Sequence, residues 1–428
     1  MKKIISFLFT IVFLIMIFLV GYKFIYKFSP RNFINKNTLV IYANEGVSTK
    51  DFNEMGHFIL REKDKKEFEK IRKNLKYINN IYCYSEKDLN QLEQEDLNWV
   101  VDTGYVYPFI TTQLEKYFDK DKGIWKLKKE YLEKTIFKDQ NIYMENYKGL
   151  FILSLDKKNL KNFIEKRSEY VYNKTIENYM DENRDNILGV ITYKNTNEIL
   201  PGIDYIFSTG KIKNDKVIID QNIILDDKTS KIFKADDQEI RVLQNYIVKN
   251  DIYVGVKDFS KIDSIIFGPY FLGEKINKNS FYMMAKIFFG IDVKKALKQI
   301  DGEAIFRNDN NQLAGIIKLK DKNSEIKKLA NFLKEDRNLE KIFSRMYLTE
   351  NNFLIFGNSE FKNGKSEYKL PKGTFLFGEL DLSKKLELPY YTMKILGIEN
   401  KIEIENILSE ESIKTIQNKN QRNGGKYD

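Results

Sequence analysis

The chain has 428 residues and a formal net charge of +10, with a single cysteine and a single histidine. One cysteine excludes an intrachain disulfide, and one cysteine plus one histidine cannot furnish a zinc centre of the usual Cys/His kind. The surplus of positive charge does not make a nucleic-acid binder. Residues 1–36 hold six Lys or Arg and no acid, which leaves 65 basic against 61 acidic residues in the remainder, and basic runs such as 126–134 are interrupted by Glu130 and Glu133.

The first element predicted in chain order is an apolar helix. Ile4 to Tyr22 carries no charge, and at ~1.5 Å per residue it spans roughly 28 Å, close to the hydrocarbon thickness of a bilayer. Lys2 and Lys3 precede it, and Lys23, Phe24, Tyr26, Lys27 and Phe28 follow, as suits an interface where aromatic rings sit at headgroup level. A cleaved signal would share the charged start and apolar middle, but the Gly21-Tyr22-Lys23 region offers no small-x-small cleavage site. The expectation is therefore an uncleaved signal-anchor in a bacterial inner (cytoplasmic) membrane, single-pass. The short N-terminus would stay inside, with the body extracytoplasmic or periplasmic. The membrane is then a partner through residues 4–22, and nucleic acid is not one.

Asn32 to Asn37 reads as a polar link, Thr38 to Ala43 as a strand, and Phe68, Ile71, Leu75 and Ile78 as one face of a helix. Ile81 to Tyr84 is strand-like, which favours a buried, inert Cys83 over a reactive one. Ser85 with Asp88 suggests a capping box opening a further helix. Trp99 to Val101 reads as a strand, and Pro108 suits the first turn of a helix running through Leu114 and Phe118. Strands are expected at Ile124 to Leu127, Asn141 to Met144 and Leu150 to Leu155. Asp156 should cap a long helix carrying Leu160, Phe163, Ile164 and Ile176. Strands follow at Ile187 to Tyr193, Tyr205 to Lys211 and Val217 to Leu225, the last two joined by the turn signal Asn214-Asp215.

A second pass begins with a strand at Ile252 to Val256. Ser280 to Ile300 reads as helical, and within it Phe281 to Ile291, the most apolar stretch after the N-terminal run, reads as a buried helix. Glu303 to Phe306 should pair with Leu313 to Leu319, and Glu325 to Lys334 is amphipathic. Further strands are expected at Arg345 to Leu348, Phe353 to Phe356, Phe375 to Leu380 and Ile402 to Ile407. From Glu410 apolar residues thin out, so 411–428 is expected to be a disordered polar tail.

The two passes align. Leu39 to Tyr42 faces Ile252 to Gly255, Leu150 to Ser154 faces Phe353 to Gly357, Ile187 to Lys194 faces Thr374 to Asp381, and Lys216 to Asp220 faces Lys401 to Glu405. The offsets fall steadily from 213 to 185, as loop deletions in a second copy would produce. The fold class expected is α+β: an N-terminal transmembrane helix, then two similar lobes, each a mostly antiparallel sheet with helices packed on one face. The organisation expected is 1–36 anchor and link, 37–235 first lobe, 236–410 second lobe and 411–428 tail. With the early strand Leu39 to Tyr42, the strand-then-helix unit Leu150 to Phe163 and the segment Ala296 to Ala304, this pattern resembles uncharacterised families of bacterial envelope proteins with an anchored, duplicated α+β ectodomain. That resemblance implies no activity and transfers no functional residue.

Chemistry is sparse. His57 has no nucleophile elbow near it and reads as an ordinary surface or cap residue. Gly357 to Ser366 mimics a phosphate loop but has six residues between its glycines where four are needed. Asp119 to Gly123 and Asp181 to Asp185 echo calcium loops without the sixth-position glycine or the terminal glutamate. Asp226-Asp227 and Asp236-Asp237 read as solvated turns. No catalytic, cofactor-binding or metal-binding residue is assigned and no cofactor is expected. The function expected is non-enzymatic binding or scaffolding of an envelope protein or ligand. A metal-independent enzyme acting on glycans or lipids through carboxylates, and a carrier of apolar molecules, stand as alternatives.

Overall fold

In the computed structural model, the residues described are 29–33, 39–43, 78–87, 92–133, 140–166, 174–183, 188–193, 202–233, 241–256, 258–261, 279, 282–283, 286–287, 290–309, 312–320, 325, 328, 346–357, 360–361 and 366–424. The apolar run 4–22, residues 68–77 of the helix expected through Ile78, and His57 lie outside them, as do Asp236 and Asp237. Among the described residues no helix is long and apolar enough to cross a membrane. The fold is α+β, and every strand pairing with a stated register is antiparallel. The chain divides into two units: Met1–Lys194 with Phe207–Val217, and Asn195–Ile206 with Ile218–Asp428.

The first unit opens with a 3-10 turn, Pro30–Phe33, followed by β1 (Leu39–Ala43), β2 (Asn80–Ser85), β3 (Asn98–Asp102), α1 (Tyr107–Thr111), α2 (Leu114–Tyr117), β4 (Phe118–Asp121), β5 (Ile124–Leu127), α3 (Lys129–Leu132), β6 (Tyr143–Tyr147), β7 (Leu150–Ser154), α4 (Lys157–Glu165), α5 (Lys174–Glu182) and β8 (Leu188–Tyr193). Its strands pair in the order β4-β5-β6-β7-β3-β2-β1-β8. Both faces of this sheet are apolar, because neighbouring residues such as Val100 and Val101, or Phe151 and Ile152, are all hydrophobic and point to opposite sides. One face packs on Phe33, Phe163 and their neighbours. The other forms a cluster of Val101, Phe151, Met144 and Trp125 with Tyr107 of α1 and Leu114 of α2. Helices on one face alone would have left that second cluster in water, so the one-sided arrangement expected from sequence does not hold here.

Local chemistry sets several boundaries. The Asp156 carboxylate accepts from Asn159 N and starts α4, which ends at Glu165. Ile176 falls in the separate helix α5 rather than continuing α4. Ser85 closes β2 and its hydroxyl accepts from Lys87 N, while residues 88–91, where the helix expected after it would run, lie outside the described residues. Pro108 sits in the first turn of α1 as expected, but the helix stops at Thr111 and Phe118 is already strand.

Next comes the hairpin of β9 (Ile203–Lys213) and β10 (Lys216–Leu225). Asn214 and Asp215 both take left-handed φ, +52° and +55°, as a two-residue turn matched to strand twist requires. The turn end, Phe207–Val217, counts with the first unit.

The second unit contains α6 (Asp227–Phe233), a 3-10 turn Val242–Tyr246, β11 (Asp251–Gly255), a 3-10 turn Phe259–Lys261, α7 (Val293–Lys298), β12 (Ile300–Asp309), β13 (Gln312–Leu319), β14 (Met346–Leu348), β15 (Phe353–Phe356), β16 (Thr374–Asp381), α8 (Ser383–Leu386), β17 (Tyr391–Ile398), β18 (Lys401–Ser409) and α9 (Glu410–Gly424). The pairing order is β14-β15-β13-β12-β11-β16-β17-β18, and β18 also pairs with β10. One face buries Ala304, Leu354 and Phe375 under α6 and α7. The other buries Tyr253, Ile305, Ile316 and Ile355 under Leu243 and Ile247.

Within both units one order of six strands recurs: β6-β7-β3-β2-β1-β8 in the first and β14-β15-β13-β12-β11-β16 in the second. The rows of facing residues correspond too. Tyr42, Tyr82, Val100 and Ile152 lie side by side across four strands. Tyr253, Ile305, Ile316 and Ile355 do the same in the second unit.

In the second unit one strand was not expected from sequence and two expectations need correction. Tyr391–Ile398 is a strand that hydrophobic alternation did not reveal, since it is paired on both sides and carries the exposed Lys394 outward. Helix α9 occupies much of the stretch expected to be a disordered tail. Ser409 Oγ accepts from Ser412 N, Ser412 Oγ donates to Tyr390 O at 2.6 Å, and Glu410 pairs with Lys414 one turn on. Finally, the segment read as a buried helix exposes Met283 and Ile287, 58% and 66% accessible.

Candidate functional site: a buried arginine and tyrosine cluster in each unit

At the start of each unit an arginine stands in or just before a 3-10 turn that leads to a strand. In the first unit Arg31 lies in the turn Pro30–Phe33. Phe33 is fully buried and stacks on Phe163 at 5.0 Å, and Tyr84 donates to Pro30 O at 2.7 Å. The Arg31 guanidinium then reaches Asp181 (2.8 Å) and Glu177 (3.4 Å) of α5, and donates through Nε to the Tyr82 hydroxyl at 3.4 Å. Burial alone would lower the pKa of Arg31. The hydrogen bonds to Asp181 and Tyr82 more than offset this and raise it, so the group stays charged.

Tyr82 stands in a ladder of rings, stacked on Tyr42 at 5.8 Å and on Tyr84 at 6.0 Å. Burial pushes the Tyr42 and Tyr82 hydroxyls above their ordinary range. Among the described residues the Tyr42 hydroxyl has no hydrogen-bond partner, and its ring lies against Gly189 so closely that a Cβ there would fall 2.1 Å from it.

In the second unit Arg241 precedes the turn Val242–Tyr246, and its Nη1 donates to the Tyr253 hydroxyl at 3.0 Å. Glu303 of β12, almost wholly buried, accepts from Val242 N (3.0 Å) and Leu243 N (2.7 Å), capping that turn. Burial raises the Glu303 pKa against those two bonds. Tyr253 is pushed up to about 12 by burial and by the nearby Glu303 charge. Beside this cluster Asp251, wholly buried, binds Arg307 through both oxygens (2.6 and 2.9 Å) and accepts from Val248 N at 3.0 Å. Arg307 also donates to Glu360 O at 3.1 Å and lies 4.5 Å over the Phe361 ring.

Chemically these clusters are anchors. Glu303 and Asp251 each already have two or more donors, and Arg31, Arg241 and Arg307 each have an acceptor. The residues singled out from sequence are placed elsewhere. Asp119 to Asp121 form the exposed strand β4, with Asp121 paired to Lys157 at 2.8 Å. Asp181 serves Arg31. Asp226 accepts from Thr229 N at the start of α6, and its pKa lies below the ordinary value because hydrogen bonds to Thr229 overcome burial. Residues 366–371 open no helix. Cys83 is buried and its thiol is pushed up to about 12 by that burial. Among the described residues no three His, Cys, Asp or Glu side chains are grouped to hold a metal ion.

Sequence reading missed both clusters. The available signals were Glu303 beside the apolar run Ala304 to Phe306 and the recurrence of an arginine, an apolar residue two positions on and a tyrosine eleven or twelve positions after the arginine: Arg31, Phe33, Tyr42 and Arg241, Leu243, Tyr253.

No family model matches this chain, and no curated protein matches it. Among solved structures it aligns with crystal forms IV, I and III of TP0453, at 8%, 10% and 8% identity. These alignments cover 46–47% of this chain and 80–81% of that one, with TM-scores of 0.29, 0.30 and 0.31. At that level the likeness carries no argument.

Proposed function

We propose that the chain is a membrane-tethered bacterial envelope protein, anchored N-in by residues 4–22, whose body of two copies of one α+β unit binds a partner or ligand and performs no catalysis. The observation that carries the reading is the burial of the turn Pro30–Phe33. The chain enters a folded core eight residues after Tyr22, the last of the uncharged run. Eight residues span at most roughly 28 Å, so a bilayer-spanning segment 4–22 holds the body close to the lipid. The duplication is supported by the recurring six-strand order and by the corresponding rows Tyr42, Tyr82, Val100, Ile152 and Tyr253, Ile305, Ile316, Ile355. The non-enzymatic part is supported by buried carboxylates committed to structural donors.

The test uses the full chain with a C-terminal tag expressed in a bacterial host. Retention in the membrane after alkaline carbonate, an intact N-terminus by mass, and digestion of the tag only from outside the cytoplasm are the expected results. A soluble, trimmed chain overturns the tether, and turnover of an envelope glycan or lipid by the purified chain overturns the non-enzymatic part.

A further inference from the structure

The segment around Met283 departs from what its composition suggests. Tyr282, Met283, Lys286 and Ile287 are helical, and Gly290 N bonds to Lys286 O at 3.1 Å. Tyr282 turns inward onto Ile291 and Val293. Met283 and Ile287, one turn apart, point the other way and are 58% and 66% exposed, with Lys286 exposed between them. Gly290, at φ +62°, breaks the helix with open space around it, and Asp292 starts α7 by accepting from Lys295 N. Helix α7 buries Val293 and Ala296 and turns Lys294, Lys295 and Lys298 to solvent.

Lysines outnumber acids here. Residues 275–298 contain Lys275, Lys278, Lys286, Lys294, Lys295 and Lys298, and their only acid, Asp292, is committed to the helix cap. Glu325 stands near Lys295 but is paired with Lys328 at 2.8 Å. Elsewhere the body is nearly neutral, so this is a local excess. Exposed apolar side chains flanked by lysines match an interface with acyl chains below and anionic headgroups around.

We infer that Met283 and Ile287, with Lys286 beside them and Lys294, Lys295 and Lys298 exposed on the following helix, form a second membrane contact that docks the body onto an anionic lipid surface. This rests on the tethered reading above, since the anchor supplies the high local concentration of lipid. The apolar pair enters the headgroup boundary, and each lysine strengthens docking about fivefold.

The test uses the full chain in nanodiscs, with an environment-sensitive dye on an introduced cysteine in Ile287→Cys, and separately in Leu14→Cys as a control for the anchor. Acyl-chain-brominated lipid serves as the quencher, with and without phosphatidylglycerol. Both labels should be quenched in the anionic discs. The Ile287 signal should fall with salt and on combining Lys294→Glu, Lys295→Glu and Lys298→Glu, while the Leu14 signal stays. Quenching at Leu14 with an aqueous Ile287 label overturns this inference and leaves the tether standing. An aqueous label at both positions overturns the tether and the inference together. An Ile287 label shielded from water yet unquenched by bromine assigns the face to a protein partner or a second copy and overturns the lipid assignment, as does equal quenching without anionic lipid. Unchanged circular dichroism and melting of Ile287→Cys separate these outcomes from misfolding.

Discussion

Arg307 grips Asp251 across the β11–β12 pair with two parallel hydrogen bonds, 2.6 Å from Nε to Oδ1 and 2.9 Å from Nη2 to Oδ2, and the carboxylate is wholly buried. A buried pair of this kind is costly to break because the surviving charge is left without compensation. Arg307→Met should therefore destabilise the protein by about 3–5 kcal/mol. The double variant Asp251→Asn with Arg307→Met should recover most of that loss. Denaturant titration of the detergent-solubilised full chain, followed by circular dichroism, measures both; equal losses in the single and double variants would refute the explanation.

Two glycines should respond unequally to alanine. At Gly189 an added Cβ meets the Tyr42 ring at 2.1 Å, and that ring is stacked on Tyr82 and has nowhere to go. At Gly255 it meets Nη1 of Arg241, the far end of a flexible side chain that can swing away at the expense of its bond to Tyr253. Gly189→Ala should cost about 1–3 kcal/mol or more, and Gly255→Ala about 1 kcal/mol. Adding Tyr42→Leu to the first should restore part of the loss, and thermal melts compare all three.

Phe33 ties the leading segment to the first unit through its stack on Phe163 and its contact with Tyr84. Phe33→Ala should cost about 3–5 kcal/mol. The only two tryptophans, Trp99 and Trp125, both lie in that unit. Tryptophan fluorescence therefore reads the loss directly, and an unshifted transition would mean that the turn is not anchored as described.

Alkaline pH should weaken the fold. Cys83 and Tyr253 are each pushed up to about 12 from 9.0 and 10.0, and Tyr42 and Tyr82 are raised as well. Between the unfolded and folded values the native state keeps protons that the unfolded chain has released. Stability is therefore full below pH 9 and falls as pH rises towards 12. Melting temperature against pH measures the fall. At neutral pH the same burial should keep Cys83 from reacting with a thiol reagent until denaturant is added.

Much of the strand framework was legible from local pattern. Leu150 to Leu155, Phe353 to Phe356 and the Asn214-Asp215 hairpin needed only an apolar run or a turn that two residues impose by themselves. Tyr391–Ile398 was not legible, because a strand hydrogen-bonded on both sides needs no alternating face to hold it. Nor was α9, which forms because Ser412 meets Tyr390 from a different part of the chain.

The chain's order of elements, its having too few Cys and His for an intrachain disulfide or a zinc centre of the usual Cys/His kind, and its N-terminal apolar run follow from residue types and spacing, since these depend on composition and on neighbours a few positions away. The pairing of Arg31 with Asp181, of Glu303 with the 242–246 turn and the outward aim of Met283 and Ile287 depend on which distant segments meet. Whether a charge is buried and satisfied, or an apolar side chain is left in water, is a property of that packing. Tertiary structure alone decides it.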